Sequence, residues 1–234
     1  LMCMHAFGHP SDLDGLLAVC DEFDIPLIED AAEALGSFYK GKHVGNQGHI
    51  SVLSFNGNKV ITTGGGGAIL SNDDEQADRA RRITTTSRVA HPYEFSHDEI
   101  AFNYRMPSLN AALGCAQLEQ LPGFVTAKRL LAEKYAAALA GVAGIGFLSE
   151  PDFACSNYWL NAVLLHPAIA HDFVNRDALL AALNAAGTMA RPAWSLMHRL
   201  PMYADCPRME LPNAESLERR IVSLPSSANL VDST

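Results

Sequence analysis

The sequence predicts an α/β protein that begins with a parallel-rich sheet and ends with a smaller α+β domain. An apolar run at 1–7 is followed by a helical pattern over Asp12–Phe23 and by a second apolar run, Ile25–Ile28. Strand, helix and strand joined by short connections are typical of a parallel sheet, which needs crossover helices. From about Gly141 shorter strands and helices alternate, and this change predicts a second domain.

Local signals define the elements of the first part. Ser11 is predicted to cap the helix over Asp12–Phe23, in which leucine recurs at helical spacing, and Asp24 is predicted to end it. The next predicted elements are a strand at 51–55, a strand at 67–70 and a helix that starts within 71–74 and ends at 82. Residues 83–107 have no regular pattern, and irregular loops of this length are usually functional.

Two further helices and the small domain are predicted after this loop. Ser108 is expected to cap a helix that Pro122 and Gly123 end, because proline donates no backbone hydrogen bond, and a connecting helix follows. The later predicted elements are a strand at 157–165, a helix from Asn175 to Gly187, a strand at 188–194 and a helix at 214–222. The predicted division is a large domain at 1–124, the connecting helix at 125–140 and a small domain at 141–234.

Composition and charge limit the classes of function. Hydrophobic residues make up 48% and charged residues 18% of the 234 residues, which is typical of a globular protein. A formal net charge of −9 at pH 7, without a dense basic stripe, argues against a nucleic-acid partner. The five scattered cysteines and nine histidines match neither a disulfide framework nor a zinc site, so we expect a cytoplasmic protein without a metal. No run is long enough to span a membrane, no signal-peptide pattern opens the chain, and a start at Leu1 inside an apolar run indicates a fragment.

The most unusual stretch is SVLSFNGNKVITTGGGG, Ser51–Gly67, in which one lysine lies between a strand and four glycines. Glycine tolerates positive φ and has no Cβ, so backbone there can approach a ligand closely. Lys59 is then either a phosphate ligand, as in a P-loop, or a covalent amine nucleophile for a carbonyl compound. In a P-loop the glycines precede the lysine, whereas here they follow it, and the first interpretation is therefore disfavoured.

Asp30 follows a predicted strand 29 residues before Lys59. By itself, an aspartate in this position is more simply a helix N-cap. Together, a carboxylate that keeps a pyridine nitrogen protonated and an amine that condenses with an aldehyde are the two contacts that define pyridoxal phosphate enzymes. Many α/β proteins place such a pair at strand ends, so the pair alone does not identify the chemistry.

Longer segments of the chain resemble the pyridoxal phosphate-dependent nucleotide-sugar aminotransferases of the DegT/StrS family. The segments are HAFGHPSDLDGL, IEDAAEALGS, SFNGNKVITTGGGG, FNYRMPSLNAALGCAQLEQL and RIVSLPSS. The segments HPYEFSHDEIAFNYRMPSLNAALG, SNYWLNAVLL and RPAWSLMHRLPMY are most similar to its LegC-like branch, which acts on UDP-linked 4-keto-6-deoxy-N-acetylhexosamines. The resemblance implies a fold-type I transferase, similar to aspartate aminotransferase, that passes an amino group from glutamate to such a sugar.

The resemblance also implies roles for single residues. Lys59 would link covalently to the cofactor and shuttle a proton, Asp30 would pair with the pyridinium nitrogen, and Ser54 would donate to the phosphate. Glu33 stands where the family usually has glutamine, near the ring hydroxyl, and a carboxylate there repels a phenolate unless one of the two is protonated. Asn103 matches an asparagine that reaches the phosphate of the neighbouring subunit, which implies a homodimer with shared sites.

Four residues are candidates for substrate contact, each with a plainer alternative. His5 follows a predicted strand, where histidine is more often structural. Tyr93 and Arg105 belong to the long polar segment, where exposure alone would explain them. Tyr158 lies beside Trp159 in an alternating pattern that places at least one of the two in the core.

Two features keep other interpretations open. The family's N-terminal part, with a phosphate-binding turn and an aromatic residue that stacks on the ring, is missing from this sequence, as is its final helix, so we expect these 234 residues alone to bind the cofactor weakly or not at all. The chain could then be a non-catalytic remnant that pairs with full-length partners. A pyridoxal phosphate-dependent sugar dehydratase is the other alternative, but that chemistry goes with histidine in place of Lys59.

Overall fold

The computed structural model describes residues 1–169 and 173–233, and they form two compact units. The first unit contains Leu1–Thr126 together with Glu150–Trp159, which we call the return segment. The second contains Ala127–Ser149 and the described residues from Leu160 onward. The division of the sequence at 124 and 140 stays a prediction, and residues 170–172 and 234 of the predicted small domain lie outside the described residues.

The described residues form five helices and eleven strands. The helices are α1 (Leu13–Phe23), α2 (Asp74–Thr84), α3 (Ser108–Leu139), α4 (Phe173–Ala185) and α5 (Pro212–Arg220). The strands are β1 (Met2–Met4), β2 (Ile28–Asp30), β3 (Phe38–Tyr39), β4 (Lys42–His43), β5 (Ile50–Ser54), β6 (Gly67–Leu70), β7 (Ile145–Phe147), β8 (Ala154–Cys155), β9 (Asn161–Leu165), β10 (Arg191–Pro192) and β11 (Ile221–Leu224).

The main sheet of the first unit has the strand order β1-β2-β5-β6. The pairs β1–β2 and β2–β5 are parallel, and β6 runs antiparallel to β5. This confirms the predicted α/β class with a parallel-containing sheet. The core beneath it is apolar and fully buried around Leu13, Leu27 and Val44, with Tyr39 beside them. The parallel register places Asp30 opposite Val52, so β2 and β5 end at the same edge of the sheet.

The structure shifts two predicted boundaries near α1. Asp12, not Ser11, caps the helix, because its Oδ1 accepts a hydrogen bond from the Gly15 N–H at 3.4 Å. The strand predicted at Ile25–Ile28 is instead β2, because Asp24 is left-handed and the Ile25 N–H still bonds to the Cys20 carbonyl at 3.0 Å. The extended pairing can therefore begin only at Ile28.

The predicted helix break at Pro122 is wrong, since α3 continues through it. Proline removes one backbone hydrogen bond, but Pro122 and Gly123 are exposed, so water can satisfy the carbonyl that is left over. Leu121 and Val125 on either side of it contact the Gly36 region, where a built Cβ would lie 2.9 Å from Val125 Cγ2. Packing thus holds the helix together where local propensity predicts an end.

The second unit contains an antiparallel sheet in the order β10-β11-β9-β7. Val163, Ala190 and Val222 form its buried centre, and leucines of α4 pack on them. The predicted helix at 214–222 ends at Arg220, because Ile221 and Val222 pair with β9 as part of β11. Apolar β-branched residues at the end of a helical pattern pack better in the middle of this sheet than at the end of a helix.

The return segment joins the first unit through a small sheet in which β8 and β4 flank β3. Phe38 pairs with Cys155, and Tyr39 pairs with Ala154. Within the described residues, no helix has the length and apolar character needed to cross a bilayer, and no three His, Cys, Asp or Glu side chains cluster as metal ligands would. The candidate residues Asp30, Ser54 and Lys59 lie at strand ends of the first unit or in the loops after them.

Candidate functional site

Lys59 lies in the loop between β5 and β6. Its backbone N–H donates to the Asn56 carbonyl at 3.1 Å, which closes a tight turn. The glycines that follow bring the chain back against β5, since a Cβ at Gly67 would lie only 2.4 Å from the Leu53 carbonyl oxygen. The close packing of two strands thus requires glycine there, and the lysine turn is fixed at both ends.

Asp30 and Glu33 lie in the loop that follows β2. The Asp30 Oδ1 accepts a hydrogen bond from the Ala32 N–H at 3.1 Å, an Asx turn that keeps the carboxylate at the strand end. The Glu33 Oε2 accepts a hydrogen bond from the Phe7 N–H at 2.7 Å. Phe7 is held in the left-handed region at φ 59°, so the turn after β1 supplies this donor.

The charges of the two loops act on each other. Burial raises the pKa of Glu33, while the positive charge of Lys59 opposes the rise and the negative charge of Asp30 adds to it. Glu33 is therefore within electrostatic range of both Lys59 and Asp30. Burial shifts Glu33 towards its acid form, which would repel a phenolate less, whereas the Phe7 N–H that donates to its Oε2 favours the carboxylate.

Trp159 is the residue of this site whose contact the sequence did not predict. Its indole ring is 5% exposed, and the Lys59 Nζ lies 4.3 Å from the ring centroid. The indole Nε1–H donates to the Asn58 carbonyl at 2.7 Å. The aromatic pair in SNYWLNAVLL was the available signal, but alternation alone could not say which ring faces the lysine.

Asn157 links Trp159 to the loop of Glu33. Its Oδ1 accepts from the Trp159 N–H at 2.7 Å, and its Nδ2 donates to the carbonyls of Glu33 at 2.9 Å and Leu35 at 2.8 Å. Its own N–H donates to the Ser37 Oγ at 2.9 Å. The return segment thus connects the loop of Glu33 with the loop of Lys59.

Ser54 ends the strand next to that of Asp30, and three other predicted residues lie elsewhere on the first unit. The half-buried Ser54 ends β5, and its Oγ accepts from the Asn56 N–H at 3.4 Å. Asn103 and Arg105 are exposed, with Asn103 paired to Thr85 across an isolated bridge. Tyr93 is 87% exposed on the segment 83–107. Among the contacts of the described residues, none joins Tyr93, Asn103 or Arg105 to Lys59 or Glu33.

The structure argues against substrate contact for His5. The ring is fully buried, its Nε2 faces Glu29 Oε2 at 3.0 Å, and its Nδ1 accepts from the Ser11 N–H at 3.0 Å. Because both ring nitrogens already have partners inside the core, His5 is structural.

Tyr158 is also held inside the protein. It is 7% exposed, its hydroxyl oxygen accepts from the Glu150 N–H at 3.2 Å, and its ring packs edge-on against His9. The plainer alternative, that this residue belongs to the core, is the better description of Tyr158.

The architecture and the solved structures that it matches define the class as the fold-type I pyridoxal phosphate-dependent transferases. The chain matches the aminotransferase TlmJ from Streptoalloteichus hindustanus with a TM-score of 0.90 and 30% identity, covering 99% of this chain and 61% of that one. It matches S. venezuelae DesV in complex with a ketimine intermediate with a TM-score of 0.86 and 29% identity, covering 99% and 63%.

The sequence profile of the DegT/DnrJ/EryC1/StrS aminotransferase family matches residues 1–234, and the chain belongs to that family. It is 38% identical to GDP-perosamine synthase of Vibrio cholerae, over 99% of this chain and 62% of that protein. It is 36% identical to GDP-perosamine synthase of Escherichia coli O157:H7, over 98% and 61%. The chain therefore spans about three fifths of the length of these relatives.

Pyridoxal phosphate is the cofactor of this family, and the side chains of the first unit fit it. An amine, a carboxylate at a strand end and a hydroxyl at the end of the neighbouring strand are the donors that its aldehyde, pyridine nitrogen and phosphate require. Lys59, Asp30 and Ser54 supply these groups from adjacent parallel strands and the loop after them. When protonated, the Glu33 carboxyl offers a donor suited to a phenolate oxygen.

Proposed function

We propose that the full-length protein transfers an amino group from glutamate to the keto group of a nucleotide sugar, with pyridoxal phosphate as cofactor. The observation that supports this best is that Glu33 lies within electrostatic range of both Lys59 and Asp30, in the loops that follow two adjacent parallel strands. The proposed substrate is a UDP-linked 4-keto-6-deoxy-N-acetylhexosamine, of the kind used for surface polysaccharides, nonulosonates or bacillosamine, because of the resemblance to the LegC-like branch. This chemistry and the reduced thiols favour the cytoplasm as the compartment.

The cofactor, when bound, serves as an electron sink that stabilises a carbanion at the carbon that exchanges the amino group. In this proposal Lys59 provides the amine that anchors it and moves the proton at that carbon. Asp30 keeps a positive charge at the pyridine nitrogen by its own negative charge, and Ser54 donates its hydroxyl hydrogen to the phosphate. Trp159 and the buried residues directly before it in the return segment exclude water from one side of the lysine.

Borohydride trapping tests the proposal directly. We expect reduction of the full-length protein with pyridoxal phosphate to leave one stable pyridoxyl group per chain, on the peptide that contains Lys59, because a reduced amine link no longer hydrolyses. Peptide mass spectrometry locates the group. A group carried by any other lysine contradicts the proposal, and reduction without pyridoxal phosphate is the control.

A second prediction concerns Glu33. In this proposal the acid form of Glu33 donates to the phenolate oxygen, so activity falls as pH rises through its pKa, which burial raises while the Phe7 N–H and the charge of Lys59 lower it. Glu33→Gln keeps a donor and an acceptor but cannot ionise. We expect it to retain activity within about threefold at pH 7 and to extend the alkaline limb of the rate profile.

The profile of kcat/KM against pH for both proteins measures this difference. Glu33→Ala is the comparison that removes the donor altogether, and it is expected to lower activity at every pH. Identical alkaline limbs in the wild type and Glu33→Gln would mean that another group sets this limb.

We also propose a homodimer in which each site uses Asn103 of the second copy. The segment 83–107 and the start of α3 carry large apolar side chains that are strongly exposed, among them Phe95 at 77%, Ile100 at 94% and Leu109 at 83%. Contiguous exposed apolar surface is typical of a protein–protein interface. The segment is itself held in shape by Glu99, whose carboxylate bonds to two arginines of α2.

The alternatives make different predictions for the same assays. A sugar dehydratase would release no amino sugar from glutamate, and a non-catalytic remnant would not form the borohydride-stable link. Parallel assays with UDP- and GDP-linked keto sugars test the nucleotide, since the relatives named GDP-perosamine synthase point to GDP. Activity with either nucleotide is compatible with the role proposed for Lys59.

A further inference from the structure

We infer that Trp159 is a positioning residue for Lys59, which acts on the lysine by two separate contacts. One contact is made by the face of the indole and the other by its N–H group. This inference rests on the proposed function, because it concerns how the amine of Lys59 is presented to the cofactor aldehyde. Trp159 lies 101 positions from Asn58, the residue of the turn to which it donates.

The first contact orients the side chain of Lys59. Its Nζ lies 4.3 Å from the centroid of the Trp159 ring, within the range in which an ammonium group is attracted to an aromatic face. The ring is almost wholly buried, so its own position is fixed. Lys59 is half-buried and has four rotatable side-chain bonds, and the ring selects among their rotamers.

The second contact holds the backbone of the turn. The indole Nε1–H donates to the carbonyl of Asn58, the residue directly before Lys59, at 2.7 Å. Asn56, Gly57 and Asn58 are exposed, and nothing lies within 4 Å of a Cβ built at Gly57. The hydrogen bond from the Lys59 N–H to the Asn56 carbonyl closes this turn, but the turn has little packing of its own, so the indole N–H adds a restraint from outside it.

The backbone of the return segment sets the direction of the ring. Tyr158, directly before Trp159, has a φ of 46°, which residues other than glycine rarely adopt. The Asn157 side chain closes over this kink by accepting the Trp159 N–H, and it leaves no room for a side chain at Gly8, where a built Cβ would lie 1.9 Å from Asn157 Oδ1. Strained backbone of this kind persists only where surrounding contacts hold it, and it is frequent at functional sites.

The chemistry of a transaminase explains why an aromatic face suits this task. The lysine must be held as a free cation in part of the cycle and must be released as a neutral nucleophile in another. A carboxylate partner in a buried site would hold the ammonium strongly, whereas a cation–π contact is weaker and is lost when the charge is lost. Trp159 thus orients Lys59 without preventing its reaction.

The test measures how fast pyridoxal phosphate attaches to the full-length protein, by stopped-flow absorbance and by borohydride trapping at Lys59. Trp159→Phe keeps an aromatic face and loses the N–H group, and Trp159→Leu loses both. Trp194, the other tryptophan among these 234 residues, is 59% exposed in the second unit, and Trp194→Phe is the matched control.

We expect attachment to slow about tenfold in Trp159→Phe and about 10²-fold in Trp159→Leu, because small misplacements of a reacting group have effects of this size. The KM for the nucleotide sugar and the rate in Trp194→Phe should be unchanged. With Trp194→Phe as background, the part of the indole fluorescence that Trp159→Phe removes should change with the same rate constant as attachment.

Two results would overturn the inference. One is attachment at the wild-type rate in Trp159→Leu, and the other is an increase in KM for the sugar with attachment unchanged, which would make Trp159 a substrate-binding residue. If Trp159→Leu does not fold, as judged by its thermal unfolding, Trp159→Phe decides by the same criteria. Failure of the unmodified protein to react at Lys59 would instead count against the proposed function.

Discussion

Lys59→Ala is expected to lower kcat/KM for amino transfer by about 10⁴-fold, because it removes both the anchoring amine and the group that moves the proton. Among the described residues of the first unit, Lys59 is the lysine that interacts with Trp159 and Glu33. Lys40, for example, pairs with Asp14 at the surface. The measurement is the rate of amino-sugar formation from glutamate and the keto sugar. Loss of less than about tenfold would exclude Lys59 as the reacting amine.

Matched variants separate chemistry from folding. Lys42→Ala removes an exposed lysine from β4 and should keep full activity. Lys59→Arg keeps a cation for the face of Trp159 but not the primary amine, so it should fold and remain inactive. An active Lys59→Arg protein would contradict the covalent role.

Mixing inactive subunits adds a positive control for the same prediction. If sites are shared, a dimer of one Lys59→Ala and one Asn103→Ala subunit contains one intact site. Random mixing should therefore restore about a quarter of the wild-type activity, since half of the dimers are mixed and half of their sites are intact. No recovery, with both variants folded and dimeric, would contradict the sharing of sites and leave Lys59 unaffected.

The parts of the site that the sequence predicted are those with local signals. Asp30 and Lys59 each follow a short apolar run, and a parallel register brings the ends of such runs to the same edge. The glycines after Lys59 predicted a close approach of backbone. Gly67 makes such an approach to β5. These predictions needed only the chemistry of the residues and the direction of neighbouring strands.

What the sequence could not predict depends on distant contacts. Trp159 reaches Asn58 only because β8 pairs with β3, and a two-residue strand has no recognisable pattern. His5 had the features of a site residue, and only its pairing with the buried Glu29 shows it to be structural. The continuation of α3 through Pro122 depends in the same way on packing.

Glu29, the residue before Asp30 on β2, is expected to contribute strongly to the stability of the protein. Glu29 is fully buried, and its carboxylate accepts hydrogen bonds from the backbone N–H groups of Gly45 at 2.7 Å and Gln47 at 2.9 Å, and from that of Gly48. Because the His5 Nδ1 accepts from a backbone N–H, its Nε2 carries the proton that is donated to Glu29. Glu29 thus fixes the end of β2 from which the Asp30 carboxylate projects.

Glu29→Gln is expected to lower the free energy of unfolding by about 3–5 kcal/mol, because an amide leaves an NH₂ group facing backbone donors in a buried site. Urea unfolding at pH 7 measures this loss. Glu22→Gln, on the exposed face of α1, is the matched control and should change stability by less than about 0.5 kcal/mol.

The pH dependence of this loss identifies its cause. Burial alone would raise the pKa of Glu29, but the hydrogen bonds from His5 and the three N–H groups outweigh it and lower the pKa from 4.5 to about 2. A group whose pKa is lower in the folded than in the unfolded protein stabilises the fold above its unfolded value, and this contribution is lost as pH falls through the folded value. The stability difference between the wild type and Glu29→Gln should therefore be constant above pH 5 and shrink by about 3 kcal/mol as the pH approaches 2. Carboxylates common to both proteins cancel in the difference, so a gap that does not change with pH would show that Glu29 acts by shape and not by its charge.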